Sequence, residues 1–252
     1  MIAQWTVVEV VAVLFLATII RSAFGFGEAL VAVPLLALVL PVEVAAPVAV
    51  LVSITIAFVI VVQDWRHVHV RSAGWLLLFT LAGIPLGLLL LKEVAAPIVK
   101  ALLAVVIIAF AIFSLLGSGK HELKNDHWAW LFGFVAGVMG GAYGMNGPPL
   151  AIFGSLRKWS PGHFRATLQG YFLPASIVGM CGYWVAGLWT PVVNRLYLLS
   201  LPAVLLGIFL GRMINRRANT RQFHLVIQLG LIVIGAILLL QSAAGHSQPP
   251  VH

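Results

Sequence analysis

The sequence predicts an all-α polytopic membrane protein of two inverted repeats, each a re-entrant, broken hairpin followed by three transmembrane helices, about ten helical segments in all. Three observations predict it. Hydrophobic residues make up 62% of the 252-residue chain and charged residues only 9%, with a mean hydropathy of +1.07. A soluble chain is about 25% charged and could not cover its surface with so few charges. Two glycine-rich interruptions recur in matching order along the chain, and the positive charges gather on one set of loops. This composition excludes soluble-enzyme, nucleic-acid-binding and disordered-scaffold functions. The net charge of +8 would suggest nucleic acid in a soluble chain. Here it sits mostly in short loops between apolar runs and reports topology.

The apolar runs divide at charges, prolines and glycines into pieces at about 5–21, 28–40, 43–62, 74–91, 95–116, 128–139, 147–156, 164–185, 195–211 and 223–240. The first run has no basic region before it, so Met1 to Ile20 reads as a retained helix rather than a cleavable signal. Cys181 is the single cysteine and forms no internal disulfide. The pieces at 28–40, 128–139 and 147–156 are too short, at about 1.5 Å per residue, to cross ~30 Å of hydrocarbon. Each adjoins a break. The first break runs from Arg21 and Ser22 through Gly25 and Gly27 to Glu28, and the second from Gly140 through Tyr143, Gly144 and Asn146 to Gly147, Pro148 and Pro149.

The breaks align. Phe24-Gly25 falls on Tyr143-Gly144, and Ala23 and Ala32 fall on Ala142 and Ala151, all at an offset of 119. Further on, Gly83 and Gly87 match Gly207 and Gly211 at an offset of 124. The repeats read as 1–117 and 127–241, joined by a cytoplasmic linker at 118–126 and followed by a flexible tail at 242–252.

Charge counting orients them. If each break is a hairpin tip that returns to its own side, one face holds Arg66, Arg71, Lys120, Lys124, Arg157, Lys158, Arg165, Arg212, Arg216, Arg217 and Arg221, and the other only Lys92, Lys100 and Arg195. Treating each hairpin as a continuous crossing narrows the split without evening it. The positive-inside rule selects the hairpins, which puts both termini outside, in the periplasm. Three full crossings per repeat is an odd number, so the repeats are inverted. Trp5, Trp65, Trp75, Trp128, Trp130, Trp159, Trp184 and Trp189 all fall at or just beyond segment ends, as aromatic belts require.

Irregular backbone at membrane depth is tolerated only inside protein or around a wet cavity, and paired breaks in inverted repeats point to a transporter's central site. Half-helices starting near Glu28 and Gly147 would aim unpaired N–H groups and positive dipole ends at an anion. The alternative is that the glycines only allow helices to pack closely.

The run from Phe24 to Leu36, with Gly25, Gly27, Glu28 and Pro34, resembles the first-repeat signature of the TauE/SafE sulfite exporters, also called TSUP permeases, and Gly140 to Pro149 resembles its echo. The resemblance implies a bacterial inner-membrane permease for sulfite, organosulfonates or related small anions. Many members carry a longer glycine run where this chain has Gly27-Glu28-Ala29.

Candidate substrate-binding residues are Arg21, Ser22, Gly25, Gly27, Tyr143, Gly144, Asn146, Gly147 and Gln169. Guanidinium suits bidentate oxyanion binding, but Arg21 would equally pair Glu28. Glu28 is the candidate proton-coupling residue, since an intramembrane carboxylate is functional by default; as an alternative it pairs Arg21 or caps a helix. Asn146 either donates to a ligand or caps the helix from Gly147. Gln169 either donates to a ligand or bonds across helices. Arg165 reads as a topology charge. His67 and His69 lack companions for a metal site, and no catalytic motif is visible.

The expected activity is secondary transport by alternating access, with no enzyme chemistry, cofactor or metal. An anion channel, or a permease for another oxyanion or carboxylate, is the alternative. Expected partners are the lipid bilayer, a small anion, a coupling proton and a second copy of the chain as homodimer; nucleic acid is not among them.

Overall fold

A computed structural model describes residues 4–64, 70–116, 123, 126–159, 161–215 and 220–244. Ten helices form the described chain. The first half holds α1 (Gln4–Phe24), α2 (Glu28–Leu36), α3 (Val42–Asp64), α4 (Val70–Glu93) and α5 (Ala96–Leu116). The second holds α6 (Ala129–Tyr143), α7 (Gly147–Leu156), α8 (Pro161–Val185), α9 (Pro191–Asn215) and α10 (Thr220–Ala243), with a short 3₁₀ turn at Asp126–Trp128 before α6. Among the described residues, α1, α3, α4, α5 and α9 contain stretches long and apolar enough to cross a membrane. The chain is a polytopic membrane protein.

The short second helix of each half, α2 with 9 residues and α7 with 10, rises only about 14–15 Å, half the hydrocarbon thickness. The main departure from the sequence reading lies just before these helices. Helices α1 and α6 continue to Phe24 and Tyr143, so each break shrinks to three residues, 25–27 and 144–146. Packing of Gly141 against α4 holds the last turn of α6 helical despite glycine's low helix propensity, because most helical stability in a protein comes from tertiary packing. The linker at 118–126 and the tail from 245 lie almost wholly outside the described residues, as do Trp65, His67 and His69.

The halves interlock by exchange. Helix α1 packs on α9 and α6 packs on α4, while α3 packs on α8 and α5 on α10. Glycines allow both exchanged contacts. A Cβ on Gly87 would stand 2.9 Å from Gly141 Cα and 2.7 Å from the Ala142 nitrogen. A Cβ on Gly211 would stand 2.6 Å from Ser22 Cβ and 2.7 Å from the Ile19 oxygen. The residues matched by sequence, Gly83 with Gly207 and Gly87 with Gly211, therefore serve equivalent interfaces. Close packing is their role, as small residues supply in membranes.

The core joins buried apolar faces of both halves. Trp5, Leu116, Val185 and Leu240 remain largely exposed, as side chains on a lipid-facing surface do. One charge departs from expectation. Charge counting assigns Lys100, near the start of the apolar run 95–116, to one membrane face, yet it lies 95% buried on α5 (5% exposed), with no hydrogen-bond partner for its Nζ. The helix starts at Ala96 and turns this position toward the core, which hydropathy along the chain does not report.

Candidate functional site

Each break is a glycine-made reversal. In the first, the Gly25 N–H donates to the Arg21 carbonyl at 2.6 Å and closes α1, and Gly27 at φ 102° hands the chain to α2. In the second, Gly144 at φ 64° donates to the Gly140 carbonyl at 2.9 Å, and the Met145 N–H donates to the Met139 carbonyl at 3.3 Å. This is the left-handed cap that ends many helices, and its φ favours glycine. Asn146 precedes α7 but makes no capping bond with its side chain, so the capping alternative gives way. Its amide donates instead to the Tyr171 hydroxyl at 3.3 Å.

Both breaks open on one cavity of about 10 Å³, room for about one water molecule. Phe26, Gly27, Glu28, Ala29 and Leu30 form one wall and Gly144, Met145, Asn146, Gly147 and Pro148 the facing one. Ser53 from α3 and Phe172 and Ser176 from α8 complete it. The first N–H groups of α2 therefore border the cavity, where the helix leaves them without internal acceptors.

Arg21 stands directly behind this lining. Its side chain is fully buried, and its Nη1 donates to the Glu28 carboxylate and, at 2.7 Å, to Ser53 Oγ. Ser176 Oγ donates to Ser53 Oγ at 3.3 Å. The guanidinium carbon lies 4.9 Å from the centre of the Phe172 ring, a cation–π contact. Arg21 Nε and Nη2 have no hydrogen-bond partner. A buried cation with two unused donors therefore faces away from bulk water, covered by residues that line the cavity. Behind Asn146 on the opposite wall, Tyr171 shares a 2.7 Å bond with Thr80 Oγ1, which in turn donates to the Gly133 carbonyl at 2.9 Å. This chain ties Asn146 to the α4–α6 interface.

Among the expected residues, Gly27, Glu28, Gly144, Asn146 and Gly147 lie together on the lining, and Arg21 adjoins it. Ser22, Gly25 and Tyr143 are not part of it. Ser22 packs toward Gly211, and the Tyr143 hydroxyl donates to the Val99 carbonyl on α5 at 3.1 Å. The side chain of Gln169 lies outside the described residues, as does that of Arg165. Sequence reasoning missed Ser53, Phe172 and Ser176. The one available signal was a serine placed mid-span in each of the apolar runs 43–62 and 164–185.

Residues 10–238 match the family Sulfite exporter TauE/SafE. The chain belongs to that family. TauE/SafE proteins are membrane transporters of sulfite-like anions, and the match takes in both breaks and every residue of the cavity lining. No curated protein and no solved structure matches this TauE/SafE chain.

Proposed function

We propose that the chain moves sulfite or a small organosulfonate across the bacterial inner membrane as a secondary transporter. The anion binds near the midplane between the two breaks, and both termini face the periplasm. Because the main helix packing runs between the repeats 1–117 and 127–241, the bodies that rock about the site are helix groups drawn from both, such as α1 with α9 and α4 with α6. The observation that carries this reading is the convergence of the breaks, one from each half, on a single cavity. That cavity is bordered by helix N-termini, hydroxyls and the Asn146 amide, with Arg21 immediately behind. N–H dipoles, hydroxyl donors and guanidinium are the groups that bind oxyanion oxygens.

A cavity of about 10 Å³ admits no oxyanion until its walls part, which favours alternating access over a standing pore. Glu28 is the coupling carboxylate on this reading, and the large lipid-facing surface leaves room for a homodimer.

The test is a thermal-shift series on purified protein with sulfite, thiosulfate, sulfate, methanesulfonate, acetate and chloride at matched ionic strength. A ligand at a hundred times its dissociation constant stabilises by about 2.7 kcal/mol. Selective stabilisation by sulfite or methanesulfonate, lost in Gly144→Ala, is the expected result. Equal response to every anion, or none, refutes the anion site.

A further inference from the structure

We infer that the Glu28 carboxylate occupies the place of the transported anion on Arg21, so that the anion displaces it and a proton travels with each single negative charge. This rests on the anion-transport reading above and adds what that reading leaves open: the charge the site accepts. Arg21 and Glu28 form a buried pair, so the central site carries no net charge with its walls closed. Glu28 borders the cavity and Arg21 does not, so an anion arriving in the cavity meets the carboxylate first. It reaches the guanidinium only where Glu28 now binds at Nη1, and the unpartnered Nη2 beside it supplies the second donor of a bidentate oxyanion contact.

Charge balance fixes the rest. With Glu28 ionised, one bound monoanion would leave a buried charge of −1, and uncompensated buried charge is strongly disfavoured. If Glu28 takes up one proton as it leaves Arg21, the loaded site is again neutral. The proton is bound with the anion on one side and released on the other when the carboxylate returns to Arg21. Both the loaded and the returning site then cross without net charge. A dianion leaves −1 even with Glu28 protonated, so the site selects monoanions such as sulfonates or hydrogensulfite over sulfate.

No other described charge intervenes. Glu28 meets Arg21 from α1 and, on α3, the neutral Ser53 of the same cluster. Helix α7 has no titratable side chain, and the cavity-lining residues of α8 have none. The carboxylate whose charge acts on Lys100 of α5 is Glu43, not Glu28. The described side chains of α10, from Gln228 onward, include no titratable group.

The experiment uses full-length protein in liposomes with methanesulfonate, a permanent monoanion, and sulfate, a dianion. A pH-sensitive dye and a potassium–valinomycin potential separate proton movement from charge movement. Methanesulfonate flux should follow the pH gradient, bring in protons at one per anion, and stay unchanged when the potential is reversed. Sulfate should move about a hundredfold more slowly or less, given the uncompensated charge. Glu28→Gln should uncouple methanesulfonate flux from the pH gradient and make it respond to potential. The wild-type measurements decide the matter if that variant fails to fold. Methanesulfonate flux that follows the potential, or sulfate flux that equals it, overturns the inference and leaves anion transport standing. The absence of flux for every anion overturns both.

Discussion

Removing the carboxylate of Glu28 tests the energetics of the site without reference to transport. Glu28→Gln leaves the Arg21 guanidinium fully buried, with Ser53 Oγ as its remaining hydrogen-bonding partner and the Phe172 ring as its other contact. A glutamine oxygen preserves shape and one acceptor but supplies no charge. Breaking a buried pair by removing one partner costs about 3–5 kcal/mol, whereas replacing both by apolar groups of similar volume is often neutral. For a chain of this length, 1 kcal/mol shifts the unfolding midpoint by about 2–4 °C, so Glu28→Gln should lower it by about 6–20 °C. Arg21→Met alone should cost a comparable amount, because it leaves the carboxylate unpaired. The double variant Arg21→Met/Glu28→Gln should recover most of the loss, since it removes both charges together. Thermal unfolding of the four proteins in one detergent, read by intrinsic tryptophan fluorescence, closes the cycle. The reasoning fails if the two single losses simply add in the double variant, or if Glu28→Gln unfolds within about 2 °C of wild type.

Four other outcomes follow from the packing. Gly87→Ala should destabilise by about 1–3 kcal/mol or more, because its Cβ meets Gly141 and Ala142 backbone at 2.9 and 2.7 Å; an unchanged unfolding midpoint would show that α4 and α6 separate freely. Gly144→Ala must hold φ 64° and place a Cβ 2.7 Å from Val50 Cγ2, so anion-induced stabilisation should disappear in the thermal-shift series even where the protein still folds. Tyr171→Phe removes the acceptor for the Asn146 amide. It should weaken methanesulfonate affinity about tenfold, a hydrogen bond's contribution of about 1.4 kcal/mol, and titration calorimetry that finds equal affinity would exclude Asn146 as a positioned donor. Lys100→Met removes an ammonium buried without a hydrogen-bond partner, its burial outweighing the attraction of Glu43, and should raise the unfolding midpoint, since poorly compensated charge is costly to bury; a lower midpoint would show that Lys100 has a stabilising role.

Much of the architecture was legible in the sequence for definite reasons. Hydropathy and helix length are local quantities in a membrane, so the ten segments were readable within a few residues. The half-length runs after Gly27 and Asn146 marked α2 and α7, because no span can be built from 9 or 10 residues. Spacing alone paired Gly83 with Gly207 and Gly87 with Gly211, since close helix contact demands the same residue at both interfaces. The ion pair of Arg21 and Glu28 is one of the alternatives those residue types allow, and their contact rather than their spacing shows it.

Tertiary structure decided which of these residues meet. Helix direction is not encoded in hydropathy, so nothing local turned Tyr143 toward Val99 and Ser22 toward Gly211, or brought Ser53, Phe172 and Ser176 to the cavity. Nor did anything local bury Lys100, since the apolar run 95–116 around it does not say which face of the helix meets the core. Sequence determined the solvent, the segments, the breaks and the residue types able to bind an anion, because each depends on composition over a few turns. Only the packing of one half against the other decided that Glu28 stands between Arg21 and the cavity, because that depends on contacts between helices far apart in the chain.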